Sequence, residues 1–359
     1  MTPEELSKSL AARFLEEGNY EALGTPLGER SLSRFAAPAA THALDDYFEP
    51  EEGLSGLAVQ SVGFTKGLDE ERVVIYVTKG SQRALKAIPS AVEGVRVCAH
   101  VMGKLRAGPA MSAAGTGHFY ERNGRFACGS SCAPSREQYA GTLGAFLTDG
   151  ARYYALSNNH VLAACNHTPV GMPILAPATM DAKPGRRAPS ELCLFESMVE
   201  LRSGVPGLVM PMTIDAAYAE VRDIEAISSW QGDDADGFDT PASVVTPISG
   251  LKVKKFGRTT GYTTGTIEAY VPTPWVLPYK SRRFNAEVWF QDNWTIRTDD
   301  GSPFALPGDS GSLVVTEDGS GAVGLIFAVN NRGEYAFCCE LSQVLSQFAG
   351  IRLVSNHGL

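Results

Sequence analysis

The sequence predicts a mainly β protein preceded by a small α/β module. Three patterns carry that expectation. Short apolar runs bounded by turn residues recur in the middle of the chain, among them Gly141–Leu147, Tyr153–Leu156 and Ile214–Val221, as in an antiparallel all-β barrel. A second series of such runs spans about 251–339. Helical spacing follows at the end, where Leu341, Val344, Leu345 and Phe348 share one face and Gly350 can stop the helix.

From the N-terminus onward, residues 1–50 read as a helical and then irregular extension. Thr2 can cap, Pro3 suits a first turn and Glu5 completes a capping box. Leu6, Leu10 and Phe14 then form one apolar stripe, and Gly18 can end the helix. This extension turns Pro/Gly/Ala-rich and closes on an acidic run from Asp45 to Glu52. Residues 51–110 read as the small α/β domain: Leu57–Phe64, Val73–Val77 and Val95–Val101 have strand character, and 81–87 is polar and helix-like. The remainder, 111–359, divides into β-rich halves at about 115–228 and 243–340 with a helix over 341–349. Between the halves, 231–242 is acidic and glycine-bearing, which suits a linker.

Composition narrows the function classes. The 359 residues are 44% hydrophobic and 20% charged, an ordinary soluble globular balance. A net charge of −9 argues against a nucleic-acid partner and offers no basic patch to a membrane surface. No apolar run reaches the roughly 18 residues a membrane-crossing helix needs. The first residues lack a basic segment followed by an unbroken apolar core, so the expected address is cytoplasmic. Seven cysteines leave at least one thiol free. Cys128, Cys132, Cys165 and His167 can be drawn as a zinc site, but their spacing matches no familiar finger, and core packing or a chance disulfide is preferred. No metal and no cofactor are expected.

The chemistry concentrates in three places. Pro307-Gly-Asp-Ser-Gly-Ser-Leu313 bends tightly around Ser310, and its glycines can aim the N–H groups of Gly308 and Ser310 at one point. A serine hydroxyl is a weak nucleophile unless a base takes its proton and donors hold the oxyanion it creates. An apolar strand breaks at Ser157-Asn-Asn159 and presents His160. Asp215 sits among Ile214, Ala216 and Ala217, surroundings in which a carboxylate needs a partner to stay ionised. Separately, each has a bland reading: a loop histidine, an N-cap or turn aspartate, a glycine-rich turn. Jointly, in this order, they point to nucleophilic catalysis.

The order His160, Asp215, Ser310 resembles that of the chymotrypsin-fold serine peptidases. More closely, Leu156-Ser-Asn-Asn-His-Val-Leu162, Asp215-Ala-Ala, Gly257-Arg-Thr-Thr-Gly261 and Pro307-Gly-Asp-Ser-Gly-Ser-Leu313 resemble the bacterial trypsin-like peptidases related to NARROW LEAF 1, over roughly residues 55–350. The resemblance implies two six-stranded antiparallel β-barrels with a C-terminal helix. His160 and Asp215 would come from the first barrel and Ser310 from the second.

It further implies a serine endopeptidase acting on protein or peptide substrates, with Gly308 and Ser310 forming the oxyanion hole. The base of the substrate pocket falls on Phe304 and its wall on Phe327, Ala328 and Val329. No acid stands at that base, so cleavage after Arg or Lys does not follow from the fold; a shallow apolar pocket is expected, with Asp299, Asp300 or Glu334 as the acids that could reach in from neighbouring loops. In zymogens of this fold the aspartate matching Asp309 pairs with a freshly cleaved N-terminus. Here, with a long segment before the protease region, local hydrogen bonds are expected to hold it instead. The Gly257–Gly261 hairpin reads as structural. Residues 1–107 offer a docking region for a regulatory partner. Two other classes stay open: a catalytically silent binding module of the same fold, and an esterase using the same three groups.

Overall fold

The computed structural model describes residues 1–16, 44, 47–48, 57–107, 117–204, 209–280 and 285–359. The irregular extension and acidic run expected between 17 and 56 fall almost wholly outside these residues. The helix Pro3–Glu16 begins with a reciprocal cap: the Glu5 N–H donates to Thr2 Oγ1 at 3.2 Å, and the Thr2 N–H to Glu5 Oε2 at 2.8 Å. Its stripe of Leu6, Leu10 and Phe14 is fully buried against Val59, Val62, Val73, Ile75 and Val77. These last belong to Ala58–Phe64 and Arg72–Lys79, an antiparallel pair, and Val95–Val101 joins the second of them in parallel. The connection between those parallel strands includes the helix Gln82–Lys86, capped by Ser81 Oγ, which accepts the Ala84 N–H.

This sheet does not end with the module. Phe64 pairs with Tyr270 on the long strand Gly261–Val271, so module and second half share one continuous sheet. Side chains reinforce the seam: Gln60 Nε2 donates to Val276 O at 2.9 Å and Thr273 Oγ1 to Val62 O at 2.8 Å.

The second half is a closed antiparallel barrel of six strands. In spatial order they are Lys252–Gly257, Leu313–Thr316, Ala322–Asn330, Tyr335–Glu340, Asn293–Arg297 and Gly261–Val271, and the last pairs back to the first. Val253, Ile267, Trp294, Ile296, Val314 and Ile326 fill its interior. The first half is a curled half-barrel running through Ala145–Thr148, Tyr153–Ser157, Ala217–Val221, Ser190–Met198, Pro173–Ala176, Ser131–Pro134 and Gly141–Thr142, over Phe146, Ala155, Ile174 and Phe195. Mainly β, with a closed six-stranded barrel beside a half-barrel, the architecture is chymotrypsin-like.

Two further pieces seal the molecule. The helix Leu341–Ser346 ends in tighter turns, with Gln347 N–H bonded to Val344 O and Phe348 N–H to Leu345 O. A hairpin, Trp275–Lys280 with Asn285–Phe290, leaves the barrel and reaches the first half, where backbone bonds link Met212 to Trp289 and Gln291. Its Trp275, Leu277 and Phe290 join Leu156 and Ile214 of the first half and Leu325, Phe327 and Phe337 of the second in one core.

Candidate active site

The buried strand Tyr153–Ser157 stops at Asn158, and a single helical turn, Asn159–Leu162, carries His160. The turn is held by side chains that bond across the half-barrel. Asn158 Nδ2 donates to Asp215 O at 2.6 Å, and Asn159 Nδ2 donates to Val199 O and Asn166 Oδ1. Asp215 precedes the strand Ala217–Val221, which pairs with the histidine strand, so that register brings the two side chains together.

His160 Nδ1 lies 2.6 Å from Asp215 Oδ2, and the His160 backbone N–H donates to Oδ1 at 3.3 Å. Both side chains are fully buried. A carboxylate accepts only, so this contact assigns a ring proton to Nδ1, and in the neutral ring the lone pair is then on Nε2. Nε2 is itself buried and has no hydrogen-bond partner among the described residues.

A residue the sequence did not point to completes the pair. Tyr279, on the hairpin, donates its hydroxyl to Asp215 Oδ2 at 2.7 Å and meets the His160 ring edge-on at 5.7 Å. Burial, with Asp215 adding to it, pushes the Tyr279 phenol well above its ordinary value, so it is a donor at any working pH. Asp215 also donates its backbone N–H to Cys339 Sγ at 3.4 Å.

Ser310 comes from the other half. Gly308 (φ +104°) and Gly311 (φ +94°) occupy backbone conformations closed to L side chains, and a Cβ at Gly311 would sit 2.1 Å from Ser157 Oγ. Thr142 of the first half stitches the loop: its N–H donates to Ser310 O and its hydroxyl to Gly308 O. Among the described residues neither the Gly308 nor the Ser310 N–H has an acceptor. Ser310 is 7% exposed and His160 1%. No hydrogen bond joins them among the described residues.

Asp309 faces away, into a cradle built by the hairpin that read as merely structural. Its Oδ1 accepts the Thr259 and Thr260 N–H groups, and its Oδ2 accepts Thr260 Oγ1 and the Leu306 N–H. Local bonds therefore hold Asp309, as its position in the chain led us to expect. Lys255, fully buried, donates to Thr260 Oγ1 at 2.7 Å and stands 3.8 Å from Asp309 Oδ2. Burial pulls the Lys255 ammonium below its usual range and the Asp309 carboxylate works against that pull. The neighbouring Arg258 reaches into the first half, pairing with Asp181. Burial raises the Asp181 carboxyl, but the bonds from Arg258 and Ser131 outweigh it and the net shift is downward.

The four expected pocket residues do not line one open pocket. Phe304 and Val329 pack inside the barrel, whereas Phe327 and Ala328 belong to the core shared by both halves, beside Trp275 and Phe290. Among the described residues the cysteines are all unbridged and no set of three metal-ligating side chains converges.

Residues 223–343 match the family model described as the Nal1 C-terminal domain, in line with the resemblance to the NARROW LEAF 1-related group. No curated protein matches the chain in sequence. Among solved structures it is similar to Thermobifida fusca Protease A, at 16% identity and a TM-score of 0.44 over 64% of this chain and 100% of that one. It is also similar to a chymotrypsin of Cellulomonas bogoriensis, at 17% identity and 0.42 over 64% and 100%. A protease of Nocardiopsis is similar at 20% identity and 0.41, over 63% and 97%. In motifs and fold, then, the chain resembles the trypsin-like serine peptidases.

Proposed function

We propose that this protein is a serine peptidase acting on protein or peptide substrates through His160, Asp215 and Ser310. The observation that carries the reading is the buried His160–Asp215 pair, with Nε2 unpartnered and two unpaired N–H groups in the Ser310 loop. Ser310 Oγ attacks an acyl carbon as His160 Nε2 takes its proton. The oxyanion accepts the Gly308 and Ser310 N–H groups, and His160 then returns the proton to the leaving nitrogen. Water repeats the cycle to release the acyl group. Asp215 fixes the His160 tautomer and stabilises its cation, and Tyr279 holds Asp215 in turn. Losing one oxyanion donor in such a site costs about 3 kcal/mol of barrier. The same three groups acylate on esters, but the fold makes amides the better assignment.

The burial of Ser310 and His160 favours a second reading, a catalytically silent module of this fold. We favour a peptidase held closed and opened by its N-terminal region or a partner docking there. No helix among the described residues is long and apolar enough to cross a membrane. Purified full-length protein, Ser310→Ala and His160→Ala are to be treated with an alkyl fluorophosphonate. Labelling that requires both residues supports the peptidase; no labelling of the full-length protein under any condition leaves the silent module.

A further inference from the structure

The strand Ala322–Asn330 is the one on which the Ser310 loop rests, since the Gly311 N–H donates to Ile326 O at 2.8 Å. One of its edges is covered by Tyr335–Glu340 from Gly324 to Val329. The other edge is shared. Leu325 pairs with Cys339 on one side, so its pairing with Leu313 lies on the opposite side. Val329 pairs with Ala336 on one side, so its pairing with Arg106 lies on that same opposite side. Among the described residues, Phe327 and Ala328 therefore form a gap in the pairing on this edge, between the Ser310 loop and Leu105–Arg106.

That gap is short. From Ile326 to Val329 is three residues, about 10 Å of extended chain. An acyl peptide seated on Ser310 gains affinity by laying its backbone along a free strand edge. Running antiparallel, it would meet Arg106 at about its third residue from the scissile bond. The direction of the intruding segment is informative as well. Leu105 lies opposite Asn330 and Arg106 opposite Val329, so the chain advances toward Ser310, as the acyl side of a substrate would.

The segment is seated by more than this pairing. Lys104 O accepts the Asn331 N–H at 3.1 Å, and Met102 O accepts Asn330 Nδ2 at 2.7 Å. Met102 and Leu105 are buried in the core shared by both halves, with Trp275 and Leu277 of the hairpin. It is also tied directly to the N-terminal module, because the Met102 N–H donates to Val77 O at 2.9 Å.

We propose that Lys104–Ala107 is a built-in competitor that occupies the strand edge an extended substrate needs, and that movement of the N-terminal module withdraws it. This rests on the peptidase reading above. In the resting protein Ser310 accepts short acyl groups only, and release adds the contacts that a longer peptide makes beyond Ala328.

The test uses the full chain and alanine-based peptidyl phosphonates of one, two and four residues, beside a plain alkyl fluorophosphonate. Arg106→Pro removes the edge N–H without touching the reacting groups, and Arg106→Ala, which keeps it, is the control. The native protein and Arg106→Ala are expected to label no faster with four residues than with two. Arg106→Pro should label at least tenfold faster with four residues, at an unchanged rate with the alkyl probe. A native protein that already gains from the four-residue probe, or an Arg106→Pro that never does, overturns the proposal. If the alkyl probe labels neither protein, the site is silent or closed by more than the linker, and anisotropy of a fluorescent tetra-alanine peptide decides the edge. Binding to Arg106→Pro alone supports occupation by the linker; equal binding, or none to either, overturns it.

Discussion

Replacing Tyr279 with phenylalanine removes one oxygen and leaves the ring that packs edge-on against His160. The loss falls on Asp215 Oδ2, which keeps His160 Nδ1 at 2.6 Å but loses the donor at 2.7 Å. Asp215 is fully buried, so no solvent replaces the missing donor at once. A hydrogen bond to a charged group contributes about 1.5–3 kcal/mol. Tyr279→Phe should therefore destabilise the fold by about 2 kcal/mol, read as a fall in the urea midpoint with unchanged slope. If the hydroxyl also holds Asp215 in line, acylation by an alkyl fluorophosphonate slows by about tenfold, equivalent to about 1.4 kcal/mol of barrier. Phenylalanine leaves no cavity, so a change in either quantity belongs to the hydroxyl. A variant within about 0.5 kcal/mol of native stability that labels at the native rate refutes the reasoning, because such a bond to a buried charge cannot then exist.

Three further outcomes follow from the same geometry. Lys255→Met leaves Asp309 buried beside an uncharged side chain; the expected cost is about 3–5 kcal/mol together with loss of labelling, and native-like denaturation with full labelling would contradict it. Gly308→Ala places a Cβ at φ +104°, so a loss of about 1–3 kcal/mol and collapse of labelling are expected, with the circular dichroism spectrum retained. Stability should hold level up to about pH 9 and fall above it. Burial raises Cys193 and Cys339 above 9.0 and Tyr76, Tyr139 and Tyr279 above 10.0, so these groups keep in the folded state the protons they lose when unfolded. Each contributes a slope of about 1.4 kcal/mol per pH unit once its unfolded form titrates, and urea midpoints unchanged between pH 7 and 11 would rule this out.

What the sequence made legible were features written in neighbouring residues. The capping box at Thr2 and Glu5, the module's strands and the mainly β class all appear as local pattern. The apolar flanks of Asp215 and the glycines around Ser310 likewise marked groups needing special surroundings. What stayed hidden depends on pairing between distant segments. Tyr279 reaches Asp215 across 64 residues, and Gln60 meets Val276 across 216; nothing beside either announces its partner. Lys255 left one faint trace: it shares the inward face of its strand with Val253, an odd place for a charge without a counterion. Phe304 follows from its distance to Ser310 along the chain, and Phe327, Ala328 and Val329 from the family resemblance; neither registers that a hairpin lies over Phe327 and buries it against Phe290.

The seam at Phe64 and Tyr270 changes what it means to shorten this protein. A fragment beginning near residue 117 would keep all three reacting groups and both halves. It would also strip a strand from Tyr270, orphan the backbone carbonyl of Val276, and turn Val276 and Trp289 out toward water. A bare edge beside an apolar face invites pairing with another chain. The N-terminal module is thus a donated strand as much as an attachment. Trimming it away would remove a wall of the second half along with any brake, and inactivity or aggregation of such a fragment would report the missing wall.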